Sequence, residues 1–187
     1  MKNDIKINNL LLYSIFFITL MGSAFHFVYD LTGKIKLVGI FVPINESVFE
    51  HLKLAFYPVI IWYFAFYFIY KRKLNLKFSK VFTLMTISIL ISIILILALY
   101  YTYTGALGIS STFLDIFIYF LAITIAQLII IKFYKRIIFT TSKFYLSLAI
   151  IITLAVSFTI FTFYPPNIPI FIEKNWDRKK SISVFLT

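Results

Sequence analysis

Asn45-Glu46-Ser47-Val48-Phe49-Glu50-His51-Leu52-Lys53, running straight into the seventeen residues Leu54 to Tyr70 (LAFYPVIIWYFAFYFIY), is the stretch on which the fold turns. The first nine residues hold two carboxylates, an amide, a hydroxyl, an imidazole and an ammonium, and the next seventeen hold no charge. A helix that spans a bilayer needs about 20 mainly apolar residues. The polar segment is therefore read as the turn through which the chain enters a membrane.

The same test applied along the chain finds five windows: Leu10 to Val28, Val48 to Tyr70, Val81 to Tyr103, Thr112 to Ile131 and Phe144 to Phe163. Composition agrees, because 61% of the 187 residues are hydrophobic and only 13% charged, about half the charged fraction of a soluble domain. Strand-like alternation is absent, and backbone groups must be paired in lipid, so the windows are helices and not a barrel. Linkers of about 8 to 19 residues leave no room for a separate domain. Residues 1–187 thus read as a single all-α transmembrane domain, a polytopic five-helix bundle with a Pro-rich tail over 164–187. The first apolar run lacks an A-x-A-like cleavage site and reads as a retained helix.

The net charge of +11 lies in short clusters between the apolar runs, where it serves as a topogenic signal. No groove-reading motif accompanies it, so nucleic acid is excluded as a partner. Eleven Lys and Arg residues fall at the N-terminus and in the second and fourth linkers, against six in the first linker and the tail. Cytoplasmic loops are enriched in these residues, which predicts the N-terminus inside and the C-terminus outside; the expected location is the bacterial plasma membrane, crossed several times. Tyr70, Tyr101, Tyr103, Tyr134 and Trp62 suit interface anchoring and packing. There is no cysteine, so any metal must take His, carboxylate or backbone ligands.

On this topology the polar residues gather at the outer leaflet. His26, Tyr29 and Asp30 end the first window, residues 45–53 begin the second, Tyr103 and Thr104 end the third, and Asp115 begins the fourth. Thr19, Ser23, His26 and Asp30 share one helical face, and His26 and Asp30, one turn apart, are placed to pair as imidazole and carboxylate. Ser47-x-x-Glu50 has capping-box spacing, in which Glu50 would return to the Ser47 amide, and Thr112-x-x-Asp115 repeats it. Counted as helix, Glu46, Ser47, Glu50 and His51 lie on one face, and Lys53 can pair with Glu50 or reach outward. Pro58 should kink the second helix. Gln127 suits an interhelical hydrogen bond. The segment Tyr164-Pro165-Pro166-Asn167-Ile168-Pro169-Ile170-Phe171 should fold back as a lid over the polar cluster.

Gly22-Ser23-x-x-His26-Phe27-x-Tyr29, Pro43-x-Asn45-Glu46-Ser47-x-x-Glu50-His51-x-Lys53, Gly105-x-x-Gly108 with Asp115, and Phe161-Thr162-Phe163-Tyr164-Pro165-Pro166-x-Ile168-Pro169-x-Phe171 carry a resemblance. Over nearly its whole length the chain resembles an uncharacterised bacterial integral membrane family, domain of unknown function 6512. The resemblance implies architecture and a polar signature, not a reaction. The tail Glu173-Lys174-Asn175-Trp176-Asp177 departs from the Gly- and Thr-containing end expected of the family.

No Walker loop, dinucleotide fingerprint, His-Glu-x-x-His motif or Gly-x-Ser-x-Gly elbow occurs. Three functions remain open. In the first, His26, His51 and one carboxylate, with Asp115 a candidate, bind a divalent metal such as zinc. A second carboxylate, from Glu46 or Glu50, acts as base on an ester or amide of a lipid-like substrate, and Tyr29, Asp30, Asn45, Ser47 and Lys53 support the cluster. In the second the same charges bind or transport an ion or small solute, with a homo-oligomer supplying what five helices lack. In the third the polar turn only caps helices and docks a partner.

Overall fold

A computed structural model describes residues 2–134, 136 and 139–173. The helices are α1 (Lys2–Leu31), α2 (Val48–His51), α3 (Lys53–Tyr70), α4 (Phe78–Leu107), α5 (Thr112–Phe133) and α6 (Thr141–Phe163). Single 3-10 turns lie at Val38–Ile40 and Pro169–Phe171, and no strand occurs among the described residues. Among the described residues five stretches are long and apolar enough to cross a bilayer, α2 and α3 together making one of them. The chain is a multi-pass membrane protein.

The helices overrun the apolar windows, most of all in α1, which begins at Lys2 and not Leu10. An apolar window measures the lipid-facing length, whereas the helix continues through residues that water can solvate. At a rise of about 1.5 Å per residue, thirty residues extend about 45 Å, well beyond the hydrocarbon layer of about 30 Å.

α4 is the centre of the bundle. It packs on α3, α5 and α6, while α1 lies against α3 and α5. Thr86, Ser88 and Ser92 are buried along α4, and such small residues let helices approach closely in lipid. Mid-bundle, Tyr63 Oη donates to Gln127 Oε1 at 3.0 Å, and Gln127 Nε2 donates to Ser88 Oγ at 2.7 Å. That chain ties α3, α5 and α4 together, which is the interhelical role expected of Gln127.

α3 runs through Pro58 without interruption. Proline has no N–H, so the carbonyl four residues earlier, Leu54 O, loses its helical donor. Tyr119 Oη fills the gap from α5, 3.1 Å from Leu54 O and 3.0 Å from Ile18 O. Gly22 makes room for it: a Cβ there would stand 2.0 Å from Tyr119 Oη and 2.8 Å from Leu54 O. One hydroxyl thus joins α1, α3 and α5.

The two ends of the bundle differ in charge. Lys6 lies over the Tyr70 ring at 5.9 Å and Lys80 over the Tyr134 ring at 3.7 Å, which places the start of α1 and the end of α3 with the basic loops. At the opposite end lie the 32–47 loop, the α4–α5 turn and the end of α6. Gly108 closes α4 there with φ +62°, a left-handed cap that favours glycine. Lys135 and the basic tail residues Lys174, Arg178, Lys179 and Lys180 lie outside the described residues.

The segment after α6 does fold back, but not over the histidines. The Phe171 ring packs 4.4 Å from Phe49 and 5.4 Å from Phe161. Phe49 and His51 are two residues apart on a helical turn, about 200° around the axis. A segment that covers Phe49 therefore leaves His51 uncovered.

Candidate functional site

The polar segment folds as a tight approach to a single helical turn. Ser47 is the N-cap of α2, extended at φ −73° and ψ 151°, and its Oγ accepts from Glu50 N at 3.3 Å. The reciprocal half of a capping box is not made by Glu50. Asn45 Oδ1 takes the Ser47 amide instead, at 3.0 Å. Because residues 45–47 are not helical, angles counted at 100° per residue do not apply to them. Glu46 and Glu50 therefore point to different places.

Glu50 turns inward. Its Oε2 accepts from Lys53 Nζ at 2.7 Å and from Ile44 N at 3.0 Å, and Thr162 Oγ1 lies 2.8 Å from its Oε1. Lys53, 0% exposed, also donates to Gly39 O at 2.7 Å and to Thr162 Oγ1 at 2.6 Å. These three short bonds use its three protons. A buried charge is tolerated when it is paired and fully hydrogen-bonded, and both members of this pair are.

His51 faces the other way and meets His26 of α1. The ring centroids are 5.1 Å apart, and the two Nε2 atoms are 3.2 Å apart. Glu46 lies between them, Oε1 at 3.6 Å from His26 Nε2 and Oε2 at 3.4 Å from His51 Nε2. One ligand atom from each of the three residues falls within 4.8 Å of the others. His51 Nδ1 stands 2.8 Å from Ser47 O. A carbonyl only accepts, so Nδ1 carries the proton, and in the neutral ring the Nε2 lone pair points at the cluster. Metal-binding histidines are oriented by such a bond on the far nitrogen. Two ligand atoms about 2.0–2.1 Å from a tetrahedral zinc stand about 3.3–3.4 Å apart, the scale of the contacts here.

The three residues open onto a cavity of about 390 Å³. Its walls come from α1 (Ser23, Phe27), from Val48 and Leu54, from α4 (Ile96, Tyr100) and from α5 (Thr112, Asp115, Ile118, Tyr119). At about 30 Å³ per water-sized group it would hold roughly a dozen non-hydrogen atoms. Among the described residues, no lysine or arginine lines it. A mainly apolar recess with a few convergent polar groups is the usual form of a small-molecule site.

The model of a family of unknown function, DUF6512, matches residues 1–179. The chain belongs to this family. No curated protein and no solved structure matches it. The match takes in all of the segments that line the cavity, so both the triad and the Glu50–Lys53 pair lie within the DUF6512 span.

Within that span the other residues singled out from sequence are dispersed. Asp115 lines the same cavity from α5, and its Oδ1 accepts from Tyr103 Oη at 2.7 Å. It is not part of a capping box: Ser111 is the N-cap of α5 and makes no side-chain cap bond. Asp30 does not orient His26. It is exposed and pairs with Lys34 at 3.7 Å, while Glu46 takes the place beside His26. Thr19 and Ser23 return their hydroxyls to the carbonyls of Ile15 and Thr19. The Tyr29 ring packs beside Gly39 in the 32–47 loop. Sequence reasoning gave no role to Tyr100, Tyr119 or Thr162. Pro58 carried a signal for Tyr119, since it creates an acceptor that another helix must satisfy; Thr162 had no comparable signal.

Proposed function

We propose that the protein is a metal-dependent membrane enzyme, a hydrolase or transferase acting on an ester or amide of a lipid-like substrate. In this reading His26, His51 and Glu46 are the ligands of a divalent ion such as zinc. The observation that carries it is the convergence of the three side chains on the wall of a mainly apolar cavity. A bound ion of this kind polarises a carbonyl and supplies an activated water at neutral pH. Ser47 O fixes the His51 ring, the apolar walls take up the substrate chain, and Asp115, held by Tyr103, is the second carboxylate placed to exchange a proton with the substrate or leaving group. The distribution of lysine and arginine supports a site in the outer leaflet, and the resemblance to a bacterial family supports a bacterial plasma membrane.

The test is metal analysis of the full chain purified in detergent, with His26→Ala and His51→Ala beside the wild type. One zinc per chain is expected in the wild type and loss in both variants, along with chelator-sensitive cleavage of medium-chain esters. A wild-type protein without stoichiometric metal would sink this reading. Metal-dependent solute flux in proteoliposomes without ester cleavage would replace it with transport.

A further inference from the structure

Glu50 and His51 are consecutive residues of one helical turn, and they serve two sites that face away from each other. Behind the turn, Thr162 of α6, Lys53 and Glu50 close a network that reaches the 39–46 loop at three atoms. Lys53 Nζ donates to Gly39 O at 2.7 Å and lies 3.4 Å from Val42 O, and Ile44 N donates to Glu50 Oε2 at 3.0 Å. Gly39 admits the close approach, since a Cβ there would stand 2.5 Å from Ile44 Cγ2. The last pinned residue of the loop, Ile44, is two positions before Glu46. On the other side of Glu46, Asn45 Oδ1 holds the Ser47 amide and Ser47 Oγ holds the Glu50 amide. Glu46 itself is half-exposed, and among the described residues its side chain pairs with the two histidines. Its place is therefore set by the backbone on either side of it, and that backbone is set by the buried pair.

A buried ion pair is weak evidence of stability, because desolvation consumes most of the Coulombic gain, and its attested use is to select one conformation. Here the conformation selected is the loop that carries Glu46 and the turn that carries His51. We infer that Glu50, Lys53 and Thr162 are positioning residues for the metal centre, coupling α6 to the placement of Glu46 opposite His26 and His51. The inference rests on the metal-site reading above and adds the part of the fold that tunes it. Thr162 is the member to vary, since its hydroxyl accepts from Lys53 and its single proton is shared between Glu50 Oε1 at 2.8 Å and Phe158 O at 2.6 Å.

The experiment compares Thr162→Val, Thr162→Ser and Glu50→Gln with the wild-type full chain in detergent, titrated with zinc and with cobalt. Groups that orient ligands typically alter metal affinity 10- to 100-fold. Thr162→Val is expected to weaken zinc binding about 10-fold and to shift the cobalt d–d bands as the carboxylate moves, with Thr162→Ser restoring both. Glu50→Gln keeps an acceptor for Ile44 N but leaves Lys53 buried without its anion, and is expected to weaken zinc binding at least as much as Thr162→Val. A purely structural role would lower thermal stability and leave the affinity and cobalt spectrum of the folded protein unchanged, and that result overturns the inference while the metal site stands. If the wild type binds no metal, the metal reading falls and the coupling is read from ¹⁵N signals of the two imidazoles in the metal-free protein. Movement of the His26 and His51 signals in Thr162→Val, reversed in Thr162→Ser, supports positioning, and unmoved signals overturn it.

Discussion

The two faces of the α2 turn answer the same question differently. Behind it, Glu50 and Lys53 are 2% and 0% exposed, and each has its charge matched and its hydrogen bonds made by protein atoms. In front of it, His26, Glu46 and His51 bring ring nitrogens and carboxylate oxygens to within 3.2–3.6 Å of one another beside an open cavity. The first arrangement is complete as folded. The second gathers two imidazoles and a carboxylate, each able to ligate a metal, on the wall of a cavity. The two lie at neighbouring sequence positions, and what separates them is burial: the Glu50–Lys53 pair is closed off by protein atoms, whereas the triad borders a cavity.

Breaking each face separately tests this contrast, and the larger stability effect belongs to the back. Lys53→Met leaves Glu50 buried beside Ile44 N and Thr162 without its cation, and should cost about 3–5 kcal/mol. The double variant Lys53→Met with Glu50→Gln removes both charges and should recover most of that loss. Denaturant unfolding of the purified protein in detergent measures both, and equal destabilisation by single and double variants would show that the pair is not acting as a charge pair.

On the front face the ordering reverses. His51→Ala removes a partly exposed side chain that bonds Ser47 O and stands beside His26 and Glu46, so about 1–3 kcal/mol of stability is at stake. Its zinc affinity should fall more than the roughly 10- to 100-fold that follows from disturbing a group that only supports a ligand. Calorimetric zinc titration beside the same unfolding assay separates the two effects. A His51→Ala protein that binds zinc as the wild type does would dissolve the distinction between the faces.

How much of this was legible beforehand follows from the kind of information each feature needs. The five crossings were plain, because lipid imposes length and apolarity on each helix locally. That His26 and the 45–53 segment share one end followed from counting crossings. The partition of the two glutamates did not follow, since a periodicity of 100° per residue presumes a helix and Glu46 precedes the first helical residue, Val48. The replacement of Asp30 by Glu46 beside His26 was hidden for the same reason: a neighbour one turn away is visible in sequence, and one brought in by a loop is not. The family model adds membership over residues 1–179 and no chemistry, so the site rests on geometry alone.

A smaller effect probes the floor shared by both faces. Gly22→Ala would put a methyl 2.0 Å from Tyr119 Oη, and inserting one carbon into a packed site costs about 1–3 kcal/mol. Tyr119 also lines the cavity, so the displaced ring should reshape the front face while leaving Lys53 and Glu50 in place. Weaker binding of a medium-chain ester analogue, with an unchanged zinc titration, is the expected pair of results.

The smallest effect expected is at Gln127, which belongs to neither face. Gln127→Leu removes the acceptor of Tyr63 Oη and the donor to Ser88 Oγ in the middle of the bundle. In water-soluble cores an orphaned buried hydroxyl costs about 1–3 kcal/mol, but interhelical hydrogen bonds in membrane proteins average only about 0.6 kcal/mol, because the separated helices find other partners in the bilayer. Ser88 can turn to a carbonyl of its own helix, as Ser92 already does toward Ser88 O at 2.9 Å, and the Ser88 side chain is itself within hydrogen-bonding reach of Tyr63. The expected loss is therefore under about 1.7 kcal/mol, the upper end for such bonds, with zinc affinity untouched. A loss as large as that of Lys53→Met would mean that full satisfaction by protein atoms stabilises this bundle wherever it occurs, and that the back of the α2 turn is not special in being complete.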